Sequence, residues 1–167
     1  VIAPTQAVAI MLPILCLMDL FGLWAYWRRW DRVNLRIIMP GALIGIALGT
    51  LTFGMLDDRW IGLAIGALAV AFALDWWLRR GIDRPARSPD AWRGTLWSTV
   101  SGWTSFVAHA GGPPLGVYLL PQRMDKTLYV GTTVLYFAFV NYLKILPYAW
   151  LGLLSPGNLS TSAALLP

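Results

Sequence analysis

Cysteine, histidine and charge are scarce in this 167-residue sequence, and each scarcity removes a class of function. The single cysteine, Cys16, rules out an internal disulfide and a cysteine-ligated metal cluster. With His109 as the only histidine, a zinc or haem site built from this chain alone is excluded, and no cofactor is expected. Charged residues make up 13% of the chain, about half of the roughly 25% usual in soluble domains. No H-E-x-x-H pair, nucleophile motif or phosphate loop occurs, so the chain is not read as an enzyme. The N-terminus also lacks the charged segment and cleavage site of a signal peptide.

What remains is apolar. Hydrophobic residues reach 57% and the mean hydropathy is +0.61. They gather in blocks of about twenty, the length at which a helix crosses a ~30 Å hydrocarbon layer. The expected fold class is all-α, a polytopic transmembrane helical bundle with the lipid bilayer as a partner. A net charge of +5 and a pI near 9.8 would suggest nucleic acid in a soluble protein. Here the cations sit in short loops beside apolar blocks, the positive-inside pattern that orients membrane proteins, and no nucleic-acid partner follows. Ten tryptophans fit this picture, because Trp24, Trp27, Trp30, Trp60, Trp76, Trp77, Trp92 and Trp150 fall near block ends, where interfacial aromatic belts form.

The first block, about 5–27, ends in Arg28, Arg29 and Arg32, with Arg36 just beyond, and should end on the cytoplasmic side. The second, about 35–56, carries Gly41, Gly45 and Gly49 at four-residue spacing, which opens a groove for close helix packing. The third, about 60–78, repeats that spacing at Gly62 and Gly66 and returns to Arg79, Arg80, Arg84, Arg87 and Arg93. A polar stretch over 81–93, with Pro85 and Pro89, reads as a cytoplasmic linker between a first repeat (1–80) and a second (94–167). Over 95–120 the pattern is interrupted by Gly111-Gly112-Pro113-Pro114, where a helix has to break. Because Arg93 precedes this segment and Arg123 and Lys126 follow it, it is expected to enter and leave on one side as a re-entrant hairpin. About thirteen residues of helix before the break would span ~20 Å, enough to reach the membrane midplane. A last block, about 127–150, leads into an uncharged tail.

Two of these blocks align at a constant offset that pairs Thr5 with Thr127, Asp19 with Asn141 and Tyr26 with Tyr148. The stretches that follow also correspond, Asn34-Leu35 leading to Met39-Pro40 and Asn158-Leu159 leading to Leu166-Pro167. One copy ends in arginines and the other in the uncharged stretch, so they run in opposite directions, the inverted-repeat plan of many transporters. The first copy lacks a glycine-rich broken segment before Thr5, and the second stops where the small-residue helix should begin. The natural protein is therefore expected to continue at both ends.

The break is the leading site candidate. With Pro114 as the first residue of a new helix, the N–H groups of Leu115, Gly116 and Val117 would point unpaired into the gap and bind an anion. The alternative is a structural kink whose donors are satisfied by neighbouring helices or water. Gly111 and Gly112, which weaken helix at the break, are included in the site. His109 would donate to an anion or shuttle a proton, or else bond a backbone carbonyl. Asp19, midway along its block, is a proton carrier, a partner for Lys144, or a neutral hydrogen-bonding group. Asn141 offers an amide at matching depth, or serves as interhelical glue. Lys144 brings charge to the pathway or snorkels to the interface. Thr132 and Thr133 offer hydroxyls to substrate or bond their own backbone, and Asp75 reads as interfacial.

With these residues in view, the chain resembles the sulfite exporter TauE/SafE family over nearly all of its length. The resemblance rests on AHAGGPPLGVYLLPQRMDK (108–126), VGTTVLYFAFVNYLKILPYAWLG (130–152) and MLPILCLMDLFGLWAYWRRWD (11–31) leading into Pro40-Gly41. It implies an inverted-repeat helical fold and export of sulfite or a related sulfur-containing or organic anion. The expectation is a secondary transporter working by alternating access in a bacterial cytoplasmic (inner) membrane, with a small anionic substrate, room for proton coupling, and assembly as a homo-oligomer or larger membrane complex. The competing expectation is a non-transporting membrane subunit packed within such a complex.

Overall fold

A computed structural model describes the backbone of residues 4–53, 55, 57–79 and 85–166. Expectations for Arg80, linker residues 81–84 and Pro167, and for the side chains of Asp75, Trp76 and Arg79, lie outside the described residues. Among the described residues the fold is all-helical: α1 (Pro4–Ala25), α2 (Arg32–Phe53), α3 (Asp58–Arg79), α4 (Ala91–Ala108), α5 (Gly112–Leu119), a 3-10 turn (Leu120–Gln122), α6 (Lys126–Trp150) and α7 (Pro156–Ala164). The apolar blocks and the break are where the residue pattern puts them. The short α7 is additional, and Ser155 starts it by accepting the Asn158 N–H.

Among the described residues three helices, Thr5–Ala25, Arg32–Phe53 and Lys126–Trp150, are long and apolar enough to cross a membrane. Burial agrees, because large apolar side chains cover the outside while several polar ones are buried beside the apolar core. Phe21, Leu51 and Leu146 face outward at 73%, 71% and 76% exposure. Asn34, Ser98, Ser101, Thr132, Asn141 and Lys144 are buried. Such a surface suits hydrocarbon, and the buried polar groups bond backbone carbonyls or one another inside.

The tightest packing is between α2 and α4. A Cβ at Gly41 would overlap the Ser98 hydroxyl, one at Gly45 the Thr99 carbonyl, and one at Gly49 would come within 2.7 Å of Phe106 Cβ. From the other side, a Cβ at Gly102 would stand 2.7 Å from the Ala42 carbonyl oxygen. The glycine groove of α2 therefore has α4 as its partner, with backbone against backbone. In α3, by contrast, a Cβ at Gly62 or Gly66 meets nothing within 4 Å among the described residues.

α4 and α5 fold back on each other as a hairpin. Gly94 at the start of α4 lies against Tyr118 near the end of α5, and Ser101 donates to the Gly111 carbonyl at 2.7 Å. The segment before α4 meets the segment after α5 where Arg87 N–H donates to Pro121 C=O at 3.0 Å. At this same end Asn34 of α2 bonds Gln122, and Asp31 N–H donates to Thr132 Oγ1 at 2.8 Å. Gly131 of α6 packs directly on the Arg29 carbonyl. The arginine-bearing segments 28–32, 87–93 and 123–126 are thus gathered at one end of the bundle. α1 and α6 run antiparallel, touching at Gly22 and Val134, at Asp19 and Asn141, and at Cys16 and Tyr142.

Gly45→Leu should prevent α2 and α4 from closing, since the side chain would have to displace α4 backbone. Overpacking of a dense core costs about 1–3 kcal/mol or more. The expected outcome is loss of the monodisperse species in detergent, measured by size-exclusion chromatography and thermal melting.

Candidate functional site

α4 stops at His109, which adopts the left-handed conformation (φ 51°, ψ 25°) that histidine enters more readily than most residues. Its N–H still reaches the Ser105 carbonyl at 3.1 Å, and Ala110 N–H reaches the Thr104 carbonyl at 3.3 Å. Side chains of α6 satisfy carbonyls along this part of α4. The Tyr148 hydroxyl donates to Phe106 C=O, and Lys144 Nζ donates to Ser105 C=O at 3.0 Å. Tyr136 donates to Ser98 C=O at 3.1 Å. These three α6 residues recur every four or eight positions, so they form one polar stripe on the face turned to α4.

Lys144 is fully buried. Besides the Ser105 carbonyl it bonds Ser105 Oγ at 3.1 Å and His109 Nδ1 at 3.0 Å. Its three N–H donors thereby go to neutral acceptors, and the snorkelling alternative is ruled out because the ammonium group points inward, at α4. His109 Nε2 lies 2.8 Å from the Val8 carbonyl, which only accepts. The proton is thus on Nε2 and the lone pair on Nδ1 receives Lys144. Close to this contact Pro13 interrupts the α1 ladder, since its missing N–H leaves the Ala9 carbonyl without its helical donor. Two residues after Val8, the Ile10 carbonyl accepts from Ser162 of α7 at 2.7 Å.

The new helix begins earlier than expected. Gly111 is its N-cap and α5 runs from Gly112, so Pro113 and Pro114 occupy the first turn together. Leu115 N–H is already bonded to Gly111 C=O at 3.3 Å, and Gly116 and Val117 lie within the helix. The expectation of three unpaired donors at Leu115, Gly116 and Val117 is therefore corrected. Two prolines supply no N–H, which leaves Gly112 as the first-turn donor outside the helical ladder. Gly111 is clamped, since a Cβ there would stand 2.7 Å from the Ser101 carbonyl, whereas one at Gly112 meets nothing within 4 Å.

Gly112 opens onto a cavity of about 310 Å³, lined also by Leu15, Asp19, Ser105, His109, Phe137 and Asn141. Asn141 Nδ2 donates to Asp19 Oδ2 at 2.8 Å. The two residues matched by the repeat offset are thus in direct contact. The fold brings together Asp19, His109, Gly112 and Asn141 on the cavity, with Lys144 behind Ser105 and His109. It does not bring Thr132 or Thr133 there: Thr132 bonds Leu128 C=O at 2.6 Å and holds the α1–α2 corner, and Thr133 bonds Val130 C=O at 2.9 Å. Leu115 and Gly116 are buried away from the lining.

A family model described as Sulfite exporter TauE/SafE matches residues 1–167. The chain belongs to the sulfite exporter TauE/SafE family. Comparisons with curated proteins and with solved structures find no match. Membership in TauE/SafE, together with the apolar helices, makes the protein an integral membrane protein of a family of transporters for sulfite-type anions. In this TauE/SafE chain the residue that sequence reasoning passed over is Ser105, which holds Lys144 twice and lines the cavity. The signal was present: Ser98, Ser101 and Ser105 place hydroxyls on one face of a helix at membrane depth.

Tyr148→Phe should leave the Phe106 carbonyl buried without its donor. An unsatisfied buried acceptor costs about 1–3 kcal/mol. A lower thermal midpoint of the purified protein, with unchanged oligomeric behaviour, is the expected measurement.

Proposed function

We propose that this protein is a secondary transporter of a small anion such as sulfite or an organosulfonate, working by alternating access around the cavity at the helix break. The observation that carries the proposal is the position of Lys144, a buried lysine whose direct partners are all neutral, behind the two residues, Ser105 and His109, that form the cavity wall. A buried ammonium without a paired carboxylate is costly, and an anion in the adjoining cavity supplies the missing countercharge. The Gly112 N–H and the Asn141 amide are the neutral donors on the lining. Leu15 and Phe137 exclude water from one side and strengthen the field of the lysine.

In this reading α4 and α5 form the re-entrant hairpin, entering and leaving at the arginine-rich, cytoplasmic end of a bacterial inner-membrane protein. The inverted repeat is supported by the antiparallel crossing of α1 and α6 at Asp19 and Asn141. A matching start to the next helix adds to it: Asp31 caps α2 by accepting Asn34 N–H, and Ser155 caps α7 by accepting Asn158 N–H. His109 is a positioning residue, because both of its ring nitrogens are engaged and its role is to aim Lys144.

Asp19 provides the coupling. Ionised, its carboxylate offsets Lys144 and repels an anion. Protonated, it leaves the cavity one positive charge richer. Anion affinity should therefore rise as pH falls in the wild type. In Asp19→Asn it should stay near its low-pH value at every pH. Binding of methanesulfonate, whose own charge is constant across this range, checks both arms by calorimetry, and a wild-type pH profile in Asp19→Asn would overturn the coupling role.

Gly112→Leu would place a side chain in the open cavity without meeting protein atoms near its Cβ. The expected result is abolished sulfite flux in proteoliposomes with normal assembly. Normal flux in that variant would sink the proposal.

A further inference from the structure

A second concave site lies at the arginine-rich end, away from the break. It has a volume of about 340 Å³ and is walled by Arg87, Ser88, Asp90, Arg93, Tyr118 and Gln122. The fold builds it deliberately rigid. Arg87 is pinned over the end of α5 by its N–H bond to Pro121. Gln122 is locked by reciprocal amide bonds with Asn34, at 2.8 and 3.1 Å, and by its bond to Tyr118 C=O at 3.3 Å.

Charge and hydrogen-bonding capacity in this pocket are unspent. Arg87 and Arg93 are exposed, and neither is tied to a carboxylate among the described residues. Asp90, the one acidic wall residue, uses Oδ1 to cap α4 by accepting Arg93 N–H at 2.7 Å. That leaves the pocket with a surplus positive charge beside a helix N-terminus. Tyr118 is only 6% exposed, and its buried hydroxyl makes no hydrogen bond of good geometry among the described residues, with the Asp90 backbone and the Gln122 side chain as its polar neighbours. Buried hydroxyls without partners are rare in folded proteins and call for an explanation.

We propose that this pocket binds a tetrahedral oxyanion, with the Arg87 and Arg93 guanidinium groups on its charged oxygens and the Tyr118 hydroxyl donating to it. Two planar forks match an oxyanion geometrically, and a buried phenol supplies the third, neutral donor. The same chemistry is offered by a free sulfate- or phosphate-like ion and by the phosphate of a lipid headgroup. The site is separate from the cavity at Gly112 and does not depend on the transport reading.

The test uses the full chain purified in maltoside. Sulfate is titrated calorimetrically into the wild type and into Gly112→Leu, in which the central cavity is filled. In parallel, retention of phosphatidylglycerol is followed by native mass spectrometry. For a free ion, sulfate binds in both proteins, at least tenfold more weakly in the Arg87→Gln/Arg93→Gln double variant, and severalfold more weakly in Tyr118→Phe at an unchanged thermal midpoint. For a headgroup, phosphatidylglycerol adducts of the wild type are lost in the double variant while sulfate binds poorly throughout. Equal sulfate affinity and equal lipid retention in wild type and double variant, or absence of both ligands from the wild type, would overturn the proposal.

Discussion

Where α4 ends inside the bundle, its last carbonyls lose their helical partners, and a hydrocarbon surrounding offers none in exchange. The fold meets that constraint with the polar stripe of α6. Tyr148 takes the Phe106 carbonyl, and Lys144 adds a second bond to that of Ser105, which the His109 N–H already holds. His109, by turning left-handed, both ends the helix and presents a lone pair to Lys144. Because these bonds join α6 to α4, the break cannot be maintained unless the two helices stay in register. The glycine face of α2 then fixes α4 from behind, close enough that no side chain fits between the backbones. The cavity is the space left between a helix end held on one side and α1 on the other.

Much of this was readable from residues alone, for identifiable reasons. Spans and break follow from apolar length and from four consecutive residues that oppose helix. The offset that pairs Asp19 with Asn141 in the sequence picks out two residues that touch across the antiparallel α1 and α6. The glycine spacing of α2 announced a close neighbour without saying which.

The remainder depends on orientation, which periodicity alone does not settle. Lys144 is close enough to its helix end to reach an interface, yet its angular position turns it toward α4. Thr132 and Thr133 lie one turn into α6, where the nearest acceptors are their own carbonyls and the α1–α2 corner. The donors expected at Leu115 to Val117 vanished because α5 begins two residues early, absorbing both prolines into its first turn. α7 was missed although Ser155 followed by Pro156 is a sound N-terminal signal, because nine uncharged residues give too short a pattern to stand out.

The two ends of the α1–α6 pair differ in kind. At the arginine end Gly131 rests directly on the Arg29 backbone, and Thr132 holds the Asp31 amide. Toward the other end, the links from α1 are side chains reaching to carbonyls: His109 to Val8, Ser162 to Ile10 and Tyr142 to Cys16. Main chain pressed on main chain fixes position closely, while a side-chain bond holds it through several rotatable torsions. The α1–α6 pair is therefore joined through main chain at its cationic end and through the Tyr142 side chain toward the other, like tongs joined at the handle. Asp19 and Asn141 sit partway along the blades, where a small splay is already enough to stretch a single 2.8 Å bond.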